Sequence, residues 1–166
     1  MPTTLEKPRS TFQYSAEVKK YIRQVESGWQ TWLFFLVKFP SALWWGFRVK
    51  SVSHEKGVVT LPFNWRTQNP YRSIYFAAQS GAAELSTAVI VNLYLAGKPP
   101  ISVLVLDFKG EFVKKANTKI TFTCEDSQKI KETIDEAYLT GEGKTITLNS
   151  TGRNNKGEVV SNFQIT

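Results

Sequence analysis

The sequence is poor in the side chains that build metal sites and disulfide frameworks. Its 166 residues include one cysteine, Cys124, and one histidine, His54. A single cysteine excludes an intrachain disulfide framework, a cysteine-based zinc site and a CxxC redox motif, and a single histidine excludes most multi-histidine metal sites. The glycine patterns of phosphate loops and dinucleotide-binding turns are absent as well. We therefore expect neither a metal ion nor a cofactor.

Long hydrophobic runs and a secretory signal are also lacking. The first residues are polar, with no apolar run leading to a small-residue cleavage site, so no signal peptide is predicted. The most apolar segment, WQTWLFFLVKF at 29–39, is too short to cross a hydrocarbon core of about 30 Å, and Pro40 follows it. We interpret it as a buried helix in preference to an interfacial one, and we expect a cytoplasmic protein without an integral membrane segment.

Basic residues exceed acidic ones, with 21 Lys and Arg against 14 Asp and Glu. The net charge of +7 favours anionic partners, but the basic residues are scattered, and scattered charge also serves solubility alone. Cations alternate with aromatic residues at 21–24 and 45–50, as in some nucleic-acid-binding proteins. The four tryptophans between Trp29 and Trp45 are explained more economically as core residues or as the walls of an apolar pocket, so we expect no nucleic-acid partner.

The first half of the chain predicts helices followed by a hairpin. Residues 1–15 form a loose polar arm, and two helices are expected at 16–26 and 29–39. Alternating apolar residues on either side of Gly57 predict a hairpin that turns there. We expect residues 16–166 to form a single domain.

The second half predicts one long apolar helix and a series of strands. The helix is expected from Ser73 to Ala96, where the following Gly-Lys-Pro-Pro sequence ends it. From Ile101 the period changes to two, which predicts strands, and a further helix begins at 126–127. The pattern as a whole is typical of an α+β fold in which an antiparallel sheet packs on a buried helix.

Polar side chains form one stripe along the predicted long helix, namely Ser73, Ser80, Glu84 and Thr87. At 100° per residue, the other three lie within about 60° of Glu84. A carboxylate on so apolar a helix must be neutral, paired or in contact with a wet pocket. Two interpretations stay open: a structural carboxylate that meets Lys114 or Lys115, or a general base or nucleophile with a raised pKa.

The loop before this helix supplies further polar groups. It contains Asn69, Tyr71 and Arg72, and Ser73 is the expected N-cap of the helix. Backbone N–H groups at a buried helix start polarise a carbonyl oxygen or hold a phosphate in some proteins, and elsewhere they are simply capped.

Two segments, NPYRSIYFAAQSGAAEL at 69–85 and VLVLDFKGEFVKKA at 103–116, resemble the hotdog-fold superfamily. The layout from Trp29 to Thr166 is most similar to its uncharacterised, thioesterase-like branch. The resemblance implies a sheet wrapped around the helix, with extra N-terminal helices outside it. It also implies a homodimer or a dimer of dimers, with the site at the subunit interface.

Carried over by spacing, the family pattern is kept only in part. The acid of active hotdog thioesterases falls on Glu84 and the loop asparagine on Asn69. The family histidine falls on Ile74, its glycine pair on Phe76 and Ala77, and its basic-proline-alanine ending on Lys114-Lys115-Ala116, which has no proline.

The resemblance therefore implies an acyl-thioester hydrolase whose partner is acyl-CoA or an acyl-carrier protein. Glu84 would activate water or attack directly, and Asn69 would orient one of the reactants. The expected substrate-binding residues are Ser73, Ser80, Thr87, Tyr75, Phe76 and Lys114, and the apolar segment 29–47 is expected to line an acyl pocket. The alternative is a non-catalytic module that binds acyl groups or another lipid in the same cavity, which the missing histidine and glycine pair favour.

Overall fold

The computed structural model describes residues 13–166, so most of the predicted arm at 1–15 lies outside the described residues. The helices are α1 (Ala16–Glu26), α2 (Gly28–Lys38), α3 (Pro40–Trp45), α4 (Phe76–Leu95) and α5 (Ser127–Thr140). The strands are β1 (Arg48–Val52), β2 (Gly57–Leu61), β3 (Phe108–Phe112), β4 (Ile120–Cys124), β5 (Leu148–Arg153) and β6 (Val159–Ile165).

The strands form one antiparallel sheet in the order β1-β2-β4-β5-β6-β3. β1 and β3 are therefore its two edges. Within β4, the side chains of Ile120, Phe122 and Cys124 are buried and alternate with partly exposed threonines, as the period of two predicts. Burial raises the pKa of the Cys124 thiol to about 11, in agreement with its predicted place in the core.

The long helix α4 packs against β2, β4, β5 and α5 and is buried over most of its circumference. The sheet approaches it most closely at Gly57, where an added Cβ would lie 2.4 Å from the backbone oxygen of Ser86. The predicted α+β architecture, an antiparallel sheet around a long central helix, is confirmed.

The prediction that this helix begins at Ser73 is wrong, because α4 begins at Phe76. The backbone just before it is engaged in extended pairing. Ile74 donates its N–H to the carbonyl of Ala116 at 2.7 Å, and Tyr75 donates to the carbonyl of Thr67 at 2.7 Å. Ser73 therefore belongs to a loop and is not the N-cap of the helix.

The prediction of a buried helix at 29–39 is also wrong. α2 packs on α1, α3 and β1, at the outside of the sheet edge, and of its side chains Phe35 alone is buried. No element of residues 13–166 forms a second layer above it, and the rest of this apolar helix faces outward. Among the helices of residues 13–166, none is both long enough and apolar enough to cross a bilayer.

The strand predicted from Ile101 begins only at Phe108. The preceding segment, 101–107, contacts the C-terminus, where Leu106 donates its N–H to the carbonyl of Thr166 at 2.8 Å. Its apolar side chains are exposed on both sides, because it continues the edge strand β3 and no described element covers it.

Candidate functional site

The loop before α4 is organised by Asn69. Its side-chain Oδ1 accepts hydrogen bonds from the N–H of Tyr71 at 3.0 Å, and from both the N–H and the Oγ–H of Ser73, at 3.1 and 3.2 Å. Arg72 adopts a left-handed conformation with φ of 57°, which the turn imposes on a residue that is not glycine. Asn69 and Ser73, both predicted site residues, therefore meet through a structural turn.

A cleft of about 620 Å³ opens where this loop meets the start of α4 and the chain after β3. Five predicted site residues line it: Asn69, Ser73, Tyr75, Phe76 and Lys114. The rings of Tyr75 and Phe76 pack edge to face, with centroids 4.8 Å apart, and both remain exposed. The structure thus brings the loop residues and Lys114 together at one cleft, but not Glu84.

The first turn of α4 provides unused backbone donors at this cleft. Within residues 13–166, the N–H groups of Phe76 and Ala77 have no hydrogen-bond partner, and Phe76 lines the cleft. The first N–H groups of a helix carry partial positive charge, which attracts an anion or a polarised carbonyl oxygen. This end of α4 is therefore suited to hold such a group.

Glu84 lies two turns farther along α4, about 12 Å from Phe76 along the helix axis. It belongs to a strip of partly exposed residues that we call the open stripe: Ala77, Ser80, Gly81, Glu84 and Ala88. Its carboxylate has no hydrogen bond or ion pair with any described residue, and burial alone raises its pKa. A partly buried carboxyl without a partner is a candidate proton acceptor.

The alternative in which Lys114 neutralises Glu84 does not hold. The Nζ atom of Lys114 lies 2.6 Å from the Oε1 atom of Glu158, and this pair lowers the pKa of the Glu158 carboxyl. Lys115 lines the same cleft as Lys114. Glu84 does not line this cleft, so it meets neither lysine there.

The remaining predicted residues on α4 direct their hydroxyl groups to the helix itself. Ser80 Oγ donates to the carbonyl of Phe76 at 3.0 Å, and Thr87 Oγ1 donates to the carbonyl of Glu84 at 2.8 Å. Thr87 is buried, whereas Ser80 is partly exposed on the open stripe. Neither side chain lies at the cleft.

Gln79 is a cleft residue that the sequence reasoning missed. It is buried, its Nε2 donates to the carbonyl of Ile74 at 3.2 Å, and its Oε1 accepts from Ser161 Oγ at 3.1 Å. One feature of the sequence could have identified Gln79: it is a lone amide in the first turn of an apolar helix, on the side opposite to Glu84.

A second cavity, of about 530 Å³, lies between segment 101–106 and α5. Its apolar lining includes Val91, Leu104, Ile130 and Ile134. Val91 is seven residues after Glu84 and therefore lies on nearly the same side of α4. The apolar cavity therefore opens on nearly the side of α4 that carries Glu84, about two turns farther along the helix.

A family model described as "Domain of unknown function (DUF4442)" matches residues 27–166, which include every candidate site residue. A search of curated proteins returns no match.

Solved structures with the same fold include several of low sequence identity. A protein of unknown function from Chlorobaculum tepidum has a TM-score of 0.70 and 15% identity, covering 89% of this chain and 90% of that one. A Pseudomonas aeruginosa protein named a probable thioesterase has a TM-score of 0.67 and 19% identity, covering 89% and 91%. A Haemophilus influenzae thioesterase has a TM-score of 0.59 and 14% identity, covering 80% and 84%. The chain accordingly shares the fold of these structures, the predicted hotdog fold.

Proposed function

The chain belongs to the DUF4442 family, and we propose that it is a hydrolase of acyl thioesters, with acyl-CoA or an acyl-carrier protein as its substrate. The observation that carries this proposal is the carboxyl of Glu84, which has no partner among the described residues and whose pKa is raised by burial on the central helix of a hotdog fold. Two structural neighbours named as thioesterases support the substrate class.

The separation of the two candidate groups calls for a second subunit. Within one chain, the backbone positions of Phe76, at the start of α4, and Glu84 are about 12 Å apart along the helix axis, too far for the helix-start N–H groups and the Glu84 carboxyl to contact one reacting carbonyl. A homodimer resolves this if Glu84 of one subunit faces the cleft of the other. The exposed edge strand β3 and the exposed apolar segment 101–106 are the surface that we assign to this dimer contact.

In the proposed reaction, the helix-start N–H groups polarise the thioester carbonyl. Glu84 accepts a proton from water, whose oxygen attacks the carbonyl carbon, and the carbon–sulfur bond then breaks as the thiolate takes up a proton. Asn69 fixes the loop through its Oδ1 and leaves its Nδ2 hydrogens for the substrate. The acyl chain enters the apolar cavity beside Val91, and Lys115 and Arg72 attract the anionic carrier.

A non-catalytic acyl-binding module is the second candidate, favoured by one observation. The exposed ring of Phe76 stands at the helix start, where the family's glycine pair would let a thioester approach the backbone closely. In this case the cavity beside Val91 still binds an acyl chain, but no hydrolysis follows.

The test is thiol release from acyl-CoAs of increasing chain length, with acyl-carrier protein as a parallel substrate. Wild type, Glu84→Gln and the exposed-carboxylate control Glu125→Gln are compared. Turnover in wild type and Glu125→Gln that is lost in Glu84→Gln supports the hydrolase. No turnover, combined with saturable thermal stabilisation by an acyl-CoA, identifies the binding module instead.

The two-subunit site has its own test. Mixing Glu84→Gln subunits with Asn69→Ala subunits should recover activity that neither variant shows alone, because each mixed dimer contains one intact composite site. Leu104→Lys with Leu106→Lys should convert the dimer to a monomer in sedimentation velocity, and the control Leu139→Lys on α5 should not. Activity in a monomer would contradict the composite site.

A further inference from the structure

The outer surface of α2 presents a continuous apolar stripe to solvent. Its members follow one another at helical spacing and are all exposed: Trp29 (69%), Trp32 (52%), Leu33 (48%), Leu36 (47%) and Val37 (65%). Spacing of i, i+3, i+4, i+7 and i+8 is that of a helix with one apolar side, which normally faces the core. Here that side faces outward, while Phe35 points inward.

Two further tryptophans, Trp44 and Trp65, are exposed in the chain that follows α2. Trp44 on α3, which packs on α2, contacts Trp65 edge to face with ring centroids 5.5 Å apart. Both rings are more than half exposed. We call the α2 stripe together with Trp44 and Trp65 the aromatic face. An exposed apolar patch of this kind marks an interaction surface.

The charge around the aromatic face is predominantly basic, although α1, which packs on α2, ends with the acidic residue Glu26. Between Ser27 and Ala83 the chain has a single acidic residue, Glu55, and six basic residues: Lys38, Arg48, Lys50, Lys56, Arg66 and Arg72. Lys38 lies at the end of α2, and Arg48 and Lys50 lie on β1, against which α2 packs. All three are exposed.

This charge distribution disfavours a second copy of the chain as the occupant. In a two-fold contact the same patch meets itself, so the basic fringe would face a basic fringe. An anionic bilayer surface matches both the exposed tryptophans and the basic residues around them. Tryptophan favours the boundary between headgroups and acyl chains, and lysine and arginine pair with acidic headgroups. An eleven-residue helix, about 17 Å long, suits a position parallel to the surface.

We propose that the aromatic face is a docking surface for membranes that contain acidic phospholipid, with α2 lying in the headgroup layer. It is formed at the β1 side of the sheet, whereas the dimer contact proposed above uses β3 at the other edge. The inference does not rest on the proposed hydrolase activity, since docking needs no turnover.

The experiment is flotation of the full chain with vesicles of phosphatidylcholine alone and of phosphatidylcholine mixed with phosphatidylglycerol. Wild type should float with the mixed vesicles, and added salt should weaken this binding. Leu33→Gln with Leu36→Gln should weaken the partition at least about tenfold, because two apolar side chains leave the interface. Lys38→Gln should weaken it roughly fivefold on the mixed vesicles.

Two matched variants serve as controls. Leu139→Gln changes an 86% exposed leucine on α5, and Lys156→Gln changes an exposed lysine in the turn before β6; both should bind like wild type. Circular dichroism and the melting temperature verify that every variant is folded.

Absence of flotation with the mixed vesicles would overturn the proposal. So would binding that the face variants leave unchanged, or that the control variants weaken equally. Concentration-dependent self-association that is lost in Leu33→Gln with Leu36→Gln, without vesicle binding, would assign the face to a second copy and refute membrane docking.

Discussion

Replacing Glu84 by glutamine tests whether this carboxyl has a partner. The structure predicts the direction in which the free energy of unfolding changes. Breaking a buried ion pair costs about 3–5 kcal/mol, because it leaves an uncompensated charge. Glu84 has no partner among the described residues, and burial raises its pKa, so the native state tolerates its charge poorly. The nearly isosteric amide removes that charge without breaking a contact. We therefore expect the free energy of unfolding at neutral pH to stay within about 1 kcal/mol of wild type, and on the higher side.

The pH dependence follows from the direction of the pKa change. Between the ordinary carboxyl pKa and the raised value, the folded state binds more protons than the unfolded state. The stability of wild type therefore falls as pH rises through this window. Below the ordinary carboxyl pKa both states are protonated and the penalty disappears. The advantage of Glu84→Gln should thus be present at neutral pH and vanish in acid.

Thermal and urea unfolding of wild type, Glu84→Gln and Glu125→Gln at pH 4 and pH 7 measure this effect. For a domain of this size, 1 kcal/mol corresponds to a change of about 2–4 °C in melting temperature. The unpaired carboxyl predicts an unchanged or slightly higher value for Glu84→Gln. A drop of roughly 6–20 °C, as loss of a buried pair would produce, would refute the reasoning.

Substitutions of Asn69, Gly57 and Lys114 test the geometry, the first two with a comparison variant. Asn69→Ala removes the acceptor of three hydrogen bonds and should lower the free energy of unfolding in urea by about 1–3 kcal/mol. Asn69→Asp keeps an acceptor and should cost less. Equal losses would show that the turn does not depend on Oδ1. Gly57→Ala places a Cβ 2.4 Å from the Ser86 carbonyl oxygen and should lower the free energy of unfolding by about 3 kcal/mol or more. Gly28→Ala, whose Cβ has nothing within 4 Å, should be nearly neutral. A neutral Gly57→Ala would contradict the close packing of β2 on α4. Lys114→Ala breaks an exposed pair with Glu158 and should change the unfolding free energy by at most about 1 kcal/mol, so a larger loss would mean that Lys114 has a second structural role.

Elements whose own sequence encodes their environment were predictable. α1 and the buried alternation of β4 follow from periodicity, because each has one side against the core and the other in water. The end of the central helix follows from Gly97, whose φ of 79° favours glycine, and from the prolines after it. Periodicity also placed Glu84 on the central helix, and the family resemblance added its expected role as the acid of the site.

The remaining features depend on partners distant in sequence. α4 begins late because Ile74 and Tyr75 pair with Ala116 and Thr67, contacts that no local pattern reveals. The apolar composition of α2 does not indicate which side is covered, since burial depends on the layers that the fold supplies. The separation of Glu84 from the cleft could be seen only in the structure. Spacing along the chain placed Glu84 and the residues of the helix start on one predicted helix, and it did not show which of them meet at a cleft.

The pH dependence of thiol release from acyl-CoA tests the central claim most directly, because the proposed base must be deprotonated to act. If Glu84 is the base, the rate rises with pH through an inflection above the usual carboxyl range, and Glu84→Gln loses that rate while Glu125→Gln keeps it. Thiol release with the same pH profile and rate in Glu84→Gln, or no release by wild type at any pH, would contradict it.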